Sequence, residues 1–410
     1  MTAAFLEKHV EWTRAELARV RQLLAFTLRE EAAASPALGP WVETVLARPG
    51  KMLRPRLVLA GARLGAAQTD SAAPGADDSG ADDSGAADPA HQASATQDDG
   101  ELEALRDALR SRIGHGTFPL EPVPAFNDWK EECPVPGGLP NRLYLLAVAI
   151  ETLHLASLAH DDVIDSSPLR RGNPSAPALL GPSGAVLAGD LLLTLCFSLV
   201  NEGASGPVAQ TLSGMVRLMV RSELAQSAER QRFDAILCGE QPLPGRRQYL
   251  RTIGGKTALL FAMALAAGAA EAGARGTILK RLEHFGFSLG LAFQMVDDLL
   301  DLDAGEAFGK RPGQDLLDGQ ITLPLLLGLK KDRDGRLAAA VRAFRRNEAP
   351  LEGVIGILEE SRVFTACQQE IDTWSARARR ELTALEKTGL PREALAELDE
   401  ILRFAVERSH

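Results

Sequence analysis

Two acidic patches, each at the end of an apolar stretch with helical spacing, constrain this chain more than any other feature. The first is Asp161-Asp162-x-x-Asp165, which follows apolar residues at helical spacing over 143–158. Neither Gly nor Pro interrupts residues 141–167, so a single helix can run into the patch. On that helix Asp161 and Asp165 lie one turn apart and share a face.

The second patch repeats the pattern after another apolar run, residues 285–291. Gln294, Asp297, Asp298 and Asp301 are spaced i, i+3, i+4 and i+7, which places them on one stripe of a helix. Carboxylates crowded on an apolar helix repel one another and need a compensating charge. Magnesium prefers one or two carboxylates completed by water and phosphate oxygens. The two patches therefore predict facing helices around magnesium and a diphosphate.

The composition favours an all-α protein. The chain has 410 residues, of which 45% are hydrophobic and 24% charged, enough for a large core. Aromatic residues make up only 5%, while Ala and Leu are abundant. Apolar runs fall short of the roughly 20 uncharged residues that a membrane span needs, so we expect no transmembrane segment.

The N-terminal region and the cysteines predict a cytoplasmic location. The first twenty residues carry charges throughout and contain no apolar region typical of a signal peptide. The four cysteines lie far apart and form no Cys-x-x-Cys pair, which favours reduced thiols over a metal site or a disulfide.

The acidity of the chain is local. The formal net charge is -10, but residues 65–100 contain eight Asp and no Lys or Arg, so about -2 remains for the rest. This balance argues against a nucleic-acid partner. Residues 67–100 are a low-complexity mixture of Ala, Gly, Ser and Asp with little to bury, and we expect them to be disordered. We interpret 67–138 as an insertion in a single helical domain spanning 1–410.

Basic side chains near predicted helix starts suggest anion sites. Lys51 and Arg54 are three residues apart, close to the start of a helix that Pro55 can open. At such a helix start, both the basic charges and the helix dipole favour an anion. Residues 251–257, Arg-Thr-Ile-Gly-Gly-Lys-Thr, predict the opening of a further helix whose Lys256 can reach an oxyanion. They are not a P-loop, because the first Gly and the preceding strand are missing.

These residues resemble the trans-polyprenyl diphosphate synthase family in order and spacing over most of residues 45–330. The motifs that carry the resemblance are Gly-Lys-x-x-Arg-Pro at 50–55, Glu151-x-x-His154, Asp161 to Asp165, Arg170-Arg171-Gly172, Gly189-Asp190, Gly255-Lys256-Thr257, Phe293-Gln294 through Asp301, Gly309-Lys310 and Asp315-Leu316. The resemblance implies an isoprenoid-synthase-type helical bundle around a central cavity, usually a homodimer. It also implies magnesium-dependent, head-to-tail condensation of isopentenyl diphosphate onto an allylic diphosphate.

The resemblance implies a role for each matching residue. Magnesium on the allylic diphosphate would be held by Asp161, Asp165 and Asp297, supported by Asp162, Asp298 and Asp301. The allylic substrate would be contacted by Arg170, Lys256, Thr257, Gln294 and Lys310. Isopentenyl diphosphate would be bound by Lys51, Arg54, His154 and Arg171.

Two departures from the family pattern stand out. Met52 occupies a position that is usually Arg in the family, and Gln320 occupies a position where Lys is common.

Small side chains one helical turn before the first patch predict a long product. Ala156 and Ser157 precede Asp161 by five and four residues, a level that the growing hydrocarbon tail must pass. In the family a large aromatic side chain here stops elongation early. Ala and Ser leave the passage open, which favours a medium- or long-chain all-trans polyprenyl diphosphate.

Three alternatives remain at this stage. A short-chain synthase would make farnesyl or geranylgeranyl diphosphate. A non-catalytic partner subunit would retain the fold, but such subunits lose the aspartates that both patches keep here. A terpene cyclase would be expected to lack the second patch and the isopentenyl site at Lys51 and Arg54.

Overall fold

The computed structural model describes residues 3–48, 50–71, 138–170, 172–302 and 312–407. Side chains are described from Arg14 onward and, in the third helix, as far as Gln68. The helices are α1 (Ala3–Ala34), α2 (Gly39–Ala47), α3 (Leu53–Ser71), α4 (Asn141–Ile164), α5 (Ala176–Gly203), α6 (Gly206–Arg230), α7 (Phe233–Leu237), α8 (Arg246–Ile253), α9 (Leu259–Glu271), α10 (Gly276–Leu300), α11 (Gln314–Leu317), α12 (Leu323–Lys331), α13 (Arg336–Arg345), α14 (Glu352–Glu360), α15 (Val363–Glu386) and α16 (Arg392–Val406). The predicted all-α class is confirmed.

Short irregular elements join some of these helices. A single 3-10 turn, Pro36–Leu38, precedes α2, and a π-helical segment, Gly254–Ala258, joins α8 to α9. Two-residue strands, β1 (Leu169–Arg170) and β2 (Asn173–Pro174), pair antiparallel beyond the first acidic patch.

Helix α4 is the central helix of the bundle. Residues 143–153 of α4 are all buried, including the polar Glu151 and Thr152, so this part of the helix packs on every side. Its last turns differ, because Asp161 and Asp165 face a cavity while Ala156 and Ala159 remain in the core. The helix therefore changes from core element to site element along its length.

Helices α3 and α9 approach closely because small residues line their contact. A Cβ atom at Gly61 would collide with the Leu265 carbonyl oxygen, and one at Gly268 would collide with that of Val58. The close packing brings the start of α3 to α9, where the Arg54 guanidinium lies 4.9 Å from the centre of the Phe261 ring. The Arg54 guanidinium, which is predicted to bind substrate, is thus held over an apolar wall of the bundle.

Among the residues that the structure describes, three helices are long and apolar enough, by length and composition, to cross a membrane. They are α4, α5 and the continuous segment Arg246–Glu271, whose apolar windows are 72%, 44% and 78% buried within the protein. The expectation of no transmembrane segment relied on runs without any charged residue, whereas these windows tolerate one or two. In α4 and the α8–α9 segment most of the apolar surface is used for packing inside the bundle.

The structure extends a helix across one sequence-based boundary, at 67, and contradicts another, at 251–257. Helix α3 continues to Ser71, past the predicted start of the insertion at 67, because Ala67 packs against the core and the Gln68 side-chain oxygen accepts a hydrogen bond from the Arg275 backbone amide. Most of the predicted insertion, and with it the expected disorder, lies outside the described residues. The motif at 251–257 does not open a helix, since α8 has already begun at Arg246 and the motif forms the π-helical junction.

Candidate active site

One cavity of about 410 Å³ is lined by both acidic patches. Helix α4 with the residue after it contributes Asp161 and Asp165, and α10 with the residue after it contributes Asp297, Asp298 and Asp301. The other residues with predicted roles that line the same cavity are Arg54, His154, Ser157, Arg170, Lys256, Thr257 and Gln294. The fold therefore brings together most of the side chains that the sequence singled out, from five separate stretches.

Several predicted site residues lie elsewhere. Asp162 is buried about 100° around α4 from Asp161 and lines a second, smaller cavity of about 80 Å³ together with Arg170 and His154, which line both cavities. Ala156 is buried in the core, and Lys51 is exposed at the start of α3. Arg171 and Lys310 lie outside the described residues, so their roles stay predictions.

The first patch is already paired with basic side chains. The Arg230 guanidinium donates to Asp165 Oδ1 at 2.8 Å, and the Arg170 guanidinium donates to Asp162 Oδ1 at 2.6 Å. Burial raises the pKa of the Asp161 carboxyl, while the charge of Lys256 acts against that rise. The carboxylates crowd as the sequence predicted, and nearby cations partly compensate them.

Lys256 is brought to this patch by the π-helical segment. A Cβ atom at Gly255 would collide with the Ser222 hydroxyl, so the missing side chain lets the segment pack directly on α6. Burial lowers the pKa of Lys256, but the charges of Asp161, Glu223 and Asp165 together hold it above its ordinary value. The lysine therefore stays positively charged inside the cavity. A π-helical turn at a functional position is a recurring arrangement.

The second patch combines a buried carboxyl with more accessible ones. Asp298 accepts hydrogen bonds from the Tyr249 hydroxyl at 2.8 Å, the Leu323 amide at 2.9 Å and the Gln294 side-chain amide at 3.1 Å. Burial raises the pKa of Asp298 to about 7, although these three donors act in the other direction. Asp298 thus fixes α10 against α8 and α12, while the supporting role that the resemblance implies for it stays a prediction.

Removing the Tyr249 hydroxyl is expected to destabilise the protein, and more so in alkali. Because the pKa of Asp298 is raised from 3.8 to about 7, its contribution to stability is complete below pH 3.8 and is lost as pH rises through 7. The phenolic donor favours the ionised carboxylate that exists above pH 7. We expect Tyr249→Phe to cost about 1–3 kcal/mol of unfolding free energy at pH 8.5 and less at pH 5.5.

Thermal unfolding followed by calorimetry at the two pH values measures this difference. The unmodified protein, scanned at both pH values, separates the effect of the hydroxyl from the general pH dependence of the fold. An equal loss at pH 5.5 and pH 8.5 would contradict the assignment of the donor to the Asp298 carboxylate.

The predicted isopentenyl side of the site lies at the start of α3. Arg54 lines the cavity next to His154 of α4, whereas the Lys51 ammonium lies 5.2 Å from the Phe404 ring of α16. Met52, which replaces the usual Arg, is buried, and its sulfur accepts a hydrogen bond from the Arg21 guanidinium at 3.4 Å. The substitution therefore leaves a cation near this position, supplied by α1.

The donor set of the cavity fits magnesium. Within the described residues, no three His, Cys, Asp or Glu side chains form a ready-made metal cage. Magnesium does not need one, because it takes one or two carboxylates and completes its octahedron with water and phosphate oxygens. Asp161, Asp165 and Asp297 present hard carboxylate oxygens to the same cavity, which is the arrangement that a metal carrying a diphosphate needs.

Glu223 and Arg230 are site residues that the sequence reasoning missed. Both belong to α6, contact Lys256 and Asp165 respectively, and have side chains only 16% and 12% exposed. The available signal was a pair of charged residues three and four positions from Gln226, but α6 carries further charged residues that the sequence does not distinguish from them. Only the packing of α6 against the π-helical segment shows which partners they take.

Comparison with known proteins identifies the family. The family model described as Polyprenyl synthetase matches residues 125–357, more than half of the chain. The chain belongs to this family. Heptaprenyl diphosphate synthase component 2 of Geobacillus stearothermophilus is 41% identical over 201 residues, which are 49% of this chain and 60% of the relative. A short chain isoprenyl diphosphate synthase of Methanothermobacter thermautotrophicus is 31% identical over 288 residues, 67% of this chain and 82% of the relative.

The solved structures extend the likeness to the whole fold. A polyprenyl synthase from Caulobacter crescentus, complexed with calcium and isoprenyl diphosphate, superposes with a TM-score of 0.70 and 26% identity over 98% of both chains. In sequence, the chain spans 52% to 60% of the length of five curated relatives that include the heptaprenyl synthase component. The isoprenoid-synthase-type helical bundle is thus confirmed for this member of the family.

Proposed function

We propose that this chain is a polyprenyl diphosphate synthase that condenses isopentenyl diphosphate head to tail onto an allylic diphosphate. The observation that carries the proposal is the single cavity lined by both Asp-Asp-x-x-Asp patches. Relatives whose names include heptaprenyl and octaprenyl diphosphate synthases support a medium- or long-chain all-trans product. A short-chain relative keeps the farnesyl or geranylgeranyl alternative open.

The acidic patches and Lys256 would bind the allylic diphosphate. Asp161, Asp165 and Asp297 would hold magnesium, which would supply the positive charge that neutralises a leaving diphosphate. The Lys256 ammonium lies next to Asp161 and presents a further positive charge in the same cavity. Because this charge is fixed before the allylic C–O bond ionises, it stabilises the separating diphosphate without reorganising.

Thr257 and Gln294 would orient the substrate beside that charge. The Thr257 hydroxyl donates to the Gln294 side-chain oxygen at 2.7 Å, and Gln294 in turn donates to Asp298. This chain of hydrogen bonds fixes both side chains at the cavity wall. They hold the allylic diphosphate in one pose without carrying a charge themselves.

Arg54 and His154 would place isopentenyl diphosphate with its double bond towards the allylic carbon. Both line the cavity, Arg54 from α3 and His154 from α4. The allylic carbocation would be attacked by that double bond, and the departing diphosphate would accept the proton that is then lost. Met219, Leu260 and Phe293 provide an apolar wall that keeps water from quenching the cation.

One assay tests the proposed reaction. Labelled isopentenyl diphosphate is supplied with magnesium and each allylic primer in turn, and the products are resolved by chain length. We expect incorporation that depends on magnesium and on the allylic primer, with products longer than geranylgeranyl diphosphate. Intact protein that incorporates no label with any primer would support the non-catalytic subunit instead.

We also propose that the chain forms a homodimer through α5 and α6. The two consecutive helices expose large apolar side chains, Leu187 at 68%, Leu224 at 66%, Val220 at 54% and Val186 at 40%. Exposed apolar side chains concentrated on neighbouring helices mark protein interfaces. Helix α5 also leaves more of its apolar window uncovered than α4 does, with 44% buried against 72%.

Charged substitutions at this surface are expected to separate the subunits. Leu187→Asp combined with Leu224→Asp places charges where a dimer would be desolvated, so sedimentation velocity should show a shift from dimer to monomer. Phe26→Asp is the matched control, since Phe26 is 51% exposed on α1, outside α5 and α6. An unmodified protein that sediments as a monomer, or a double variant that remains dimeric, would exclude this interface.

A further inference from the structure

Glu223 lies behind the cavity rather than in it. Its side chain is 16% exposed and is not among the residues that line the cavity. Gln226, one turn further along α6, does line the cavity. The carboxylate therefore acts on the proposed substrate through other residues. Its neighbours show which residues these are.

The two carboxylate oxygens of Glu223 face two different cations. Oε2 lies 2.7 Å from the Lys256 ammonium, and Oε1 lies 3.8 Å from the Arg230 guanidinium. Arg230 donates in turn to Asp165 at 2.8 Å. Glu223 thus stands between two basic side chains that reach the first acidic patch. Its Oε1 atom is buried and makes no hydrogen bond within the described structure.

Lys256 needs such an anchor because its side chain is long and its charge is compact. A lysine has many rotamers, and the first patch offers the ammonium more than one carboxylate. Glu223 and Gln226 accept hydrogen bonds from its nitrogen at 2.7 Å and 3.1 Å, both from α6. The contact between Gly255 and Ser222 keeps α6 and the π-helical segment at the distance that these bonds require.

We propose that Glu223 is the positioning residue that fixes the Lys256 ammonium beside Asp161 for binding the diphosphate. The inference rests on the proposed function, in which Lys256 contacts the allylic diphosphate. Without Glu223, only the neutral Gln226 holds the ammonium from behind. The ammonium is then drawn towards the aspartates, where it competes with the bound cation for their oxygens.

Binding of inorganic diphosphate with magnesium, measured by calorimetry, tests the inference on the full chain. Glu223→Ala is expected to weaken binding about 10-fold, the size of one lost charge-assisted hydrogen bond. Glu223→Gln retains an acceptor without charge, so its loss should be smaller. In steady-state assays both variants should raise the KM for the allylic diphosphate more than they lower kcat.

A double-mutant cycle separates positioning from an independent effect. Once Lys256→Ala has removed the ammonium, adding Glu223→Ala should weaken diphosphate binding little further, because the two residues act together. Additive losses would overturn the inference, as would unchanged binding by Glu223→Ala. Glu360→Gln, an exposed glutamate on α14, is the matched control.

The outcomes also separate this inference from the proposed function. Failure of the unmodified protein to bind diphosphate with magnesium would count against the proposed function itself. Normal binding by the unmodified protein and by Glu223→Ala would overturn only the role of Glu223. If circular dichroism shows that Glu223→Ala is unfolded, the same binding measurements are made with Glu223→Gln and with the double variant Glu223→Gln and Lys256→Ala.

Discussion

Replacing Asp161 with alanine is expected to lower turnover by about 1000-fold or more while the helical fold remains. Asp161 lines the cavity at the end of α4, and burial already raises the pKa of its carboxyl. Removing a carboxylate that burial disfavours costs the fold little. The same change removes a proposed metal ligand, and metal stabilisation of a leaving group amounts to several kcal/mol, or about 1000-fold in rate.

Asp297→Ala should have the same effect from the opposite wall of the cavity. Its helix, α10, packs against α9 and α15, and Asp297 is not among the buried residues of α10, so the fold should again persist. Turnover is measured with labelled isopentenyl diphosphate at saturating magnesium, and the fold by circular dichroism. Asp372→Ala, an exposed aspartate on α15, is the control for a lost carboxylate.

A second readout connects these losses to the metal. Both variants should bind inorganic diphosphate more weakly in the presence of magnesium, but Asp372→Ala should bind it normally. Turnover within tenfold of the unmodified protein for either Asp161→Ala or Asp297→Ala would refute the assignment of the patches to the leaving group.

Helical periodicity explains why so much of this site could be predicted from sequence. His154, Asp161 and Asp165 lie at i, i+7 and i+11, close to whole turns, and the structure places all three on the cavity side of α4. Asp162 is one residue, or about 100°, away from Asp161, so the same rule turns it to the other side. There it pairs with Arg170 instead of facing the second patch.

Contacts between distant helices could not be predicted in the same way. The pairing of Glu223 with Lys256 depends on how α6 rotates about its axis and on a π-helical turn that the sequence motif did not reveal. Likewise, Asp298 has the same spacing as its neighbours, yet Tyr249 and Leu323 enclose it from two other helices. Spacing along one helix gives a face, whereas burial and partners depend on the packing of the others.

Replacing Ser157 with phenylalanine is expected to give a shorter product than the unmodified protein makes. Ser157 lines the cavity four residues before Asp161, about 6 Å along the helix axis from it. Its side chain is small, and its hydroxyl is turned back to the His154 carbonyl oxygen at 2.8 Å. An aromatic ring here projects into the cavity and should stop elongation at farnesyl or geranylgeranyl diphosphate.

Ala156→Phe tests the neighbouring position, and the structure adds a cost to it. Ala156 is 2% exposed within the core and does not line the described cavity. A ring at this position must displace its neighbours, which costs about 1–3 kcal/mol of stability. We therefore expect Ala156→Phe to shorten the product and also to lower the melting temperature, whereas Ser157→Phe should shorten the product with a smaller loss.

The comparison of the two variants locates the floor of the cavity. Products from labelled isopentenyl diphosphate are resolved by chain length for both, with Thr388→Phe, an exposed position after α15, as the control. Shortening in Ser157→Phe alone would show that the tail runs along the face shared with Asp161. Shortening in Ala156→Phe alone would show that the tail passes between α4 and the core, where the bundle must open to admit it.

Two other outcomes would contradict the prediction. Unchanged products in both variants would place the floor beyond this turn of α4. A short product from the unmodified protein would refute the medium- or long-chain assignment.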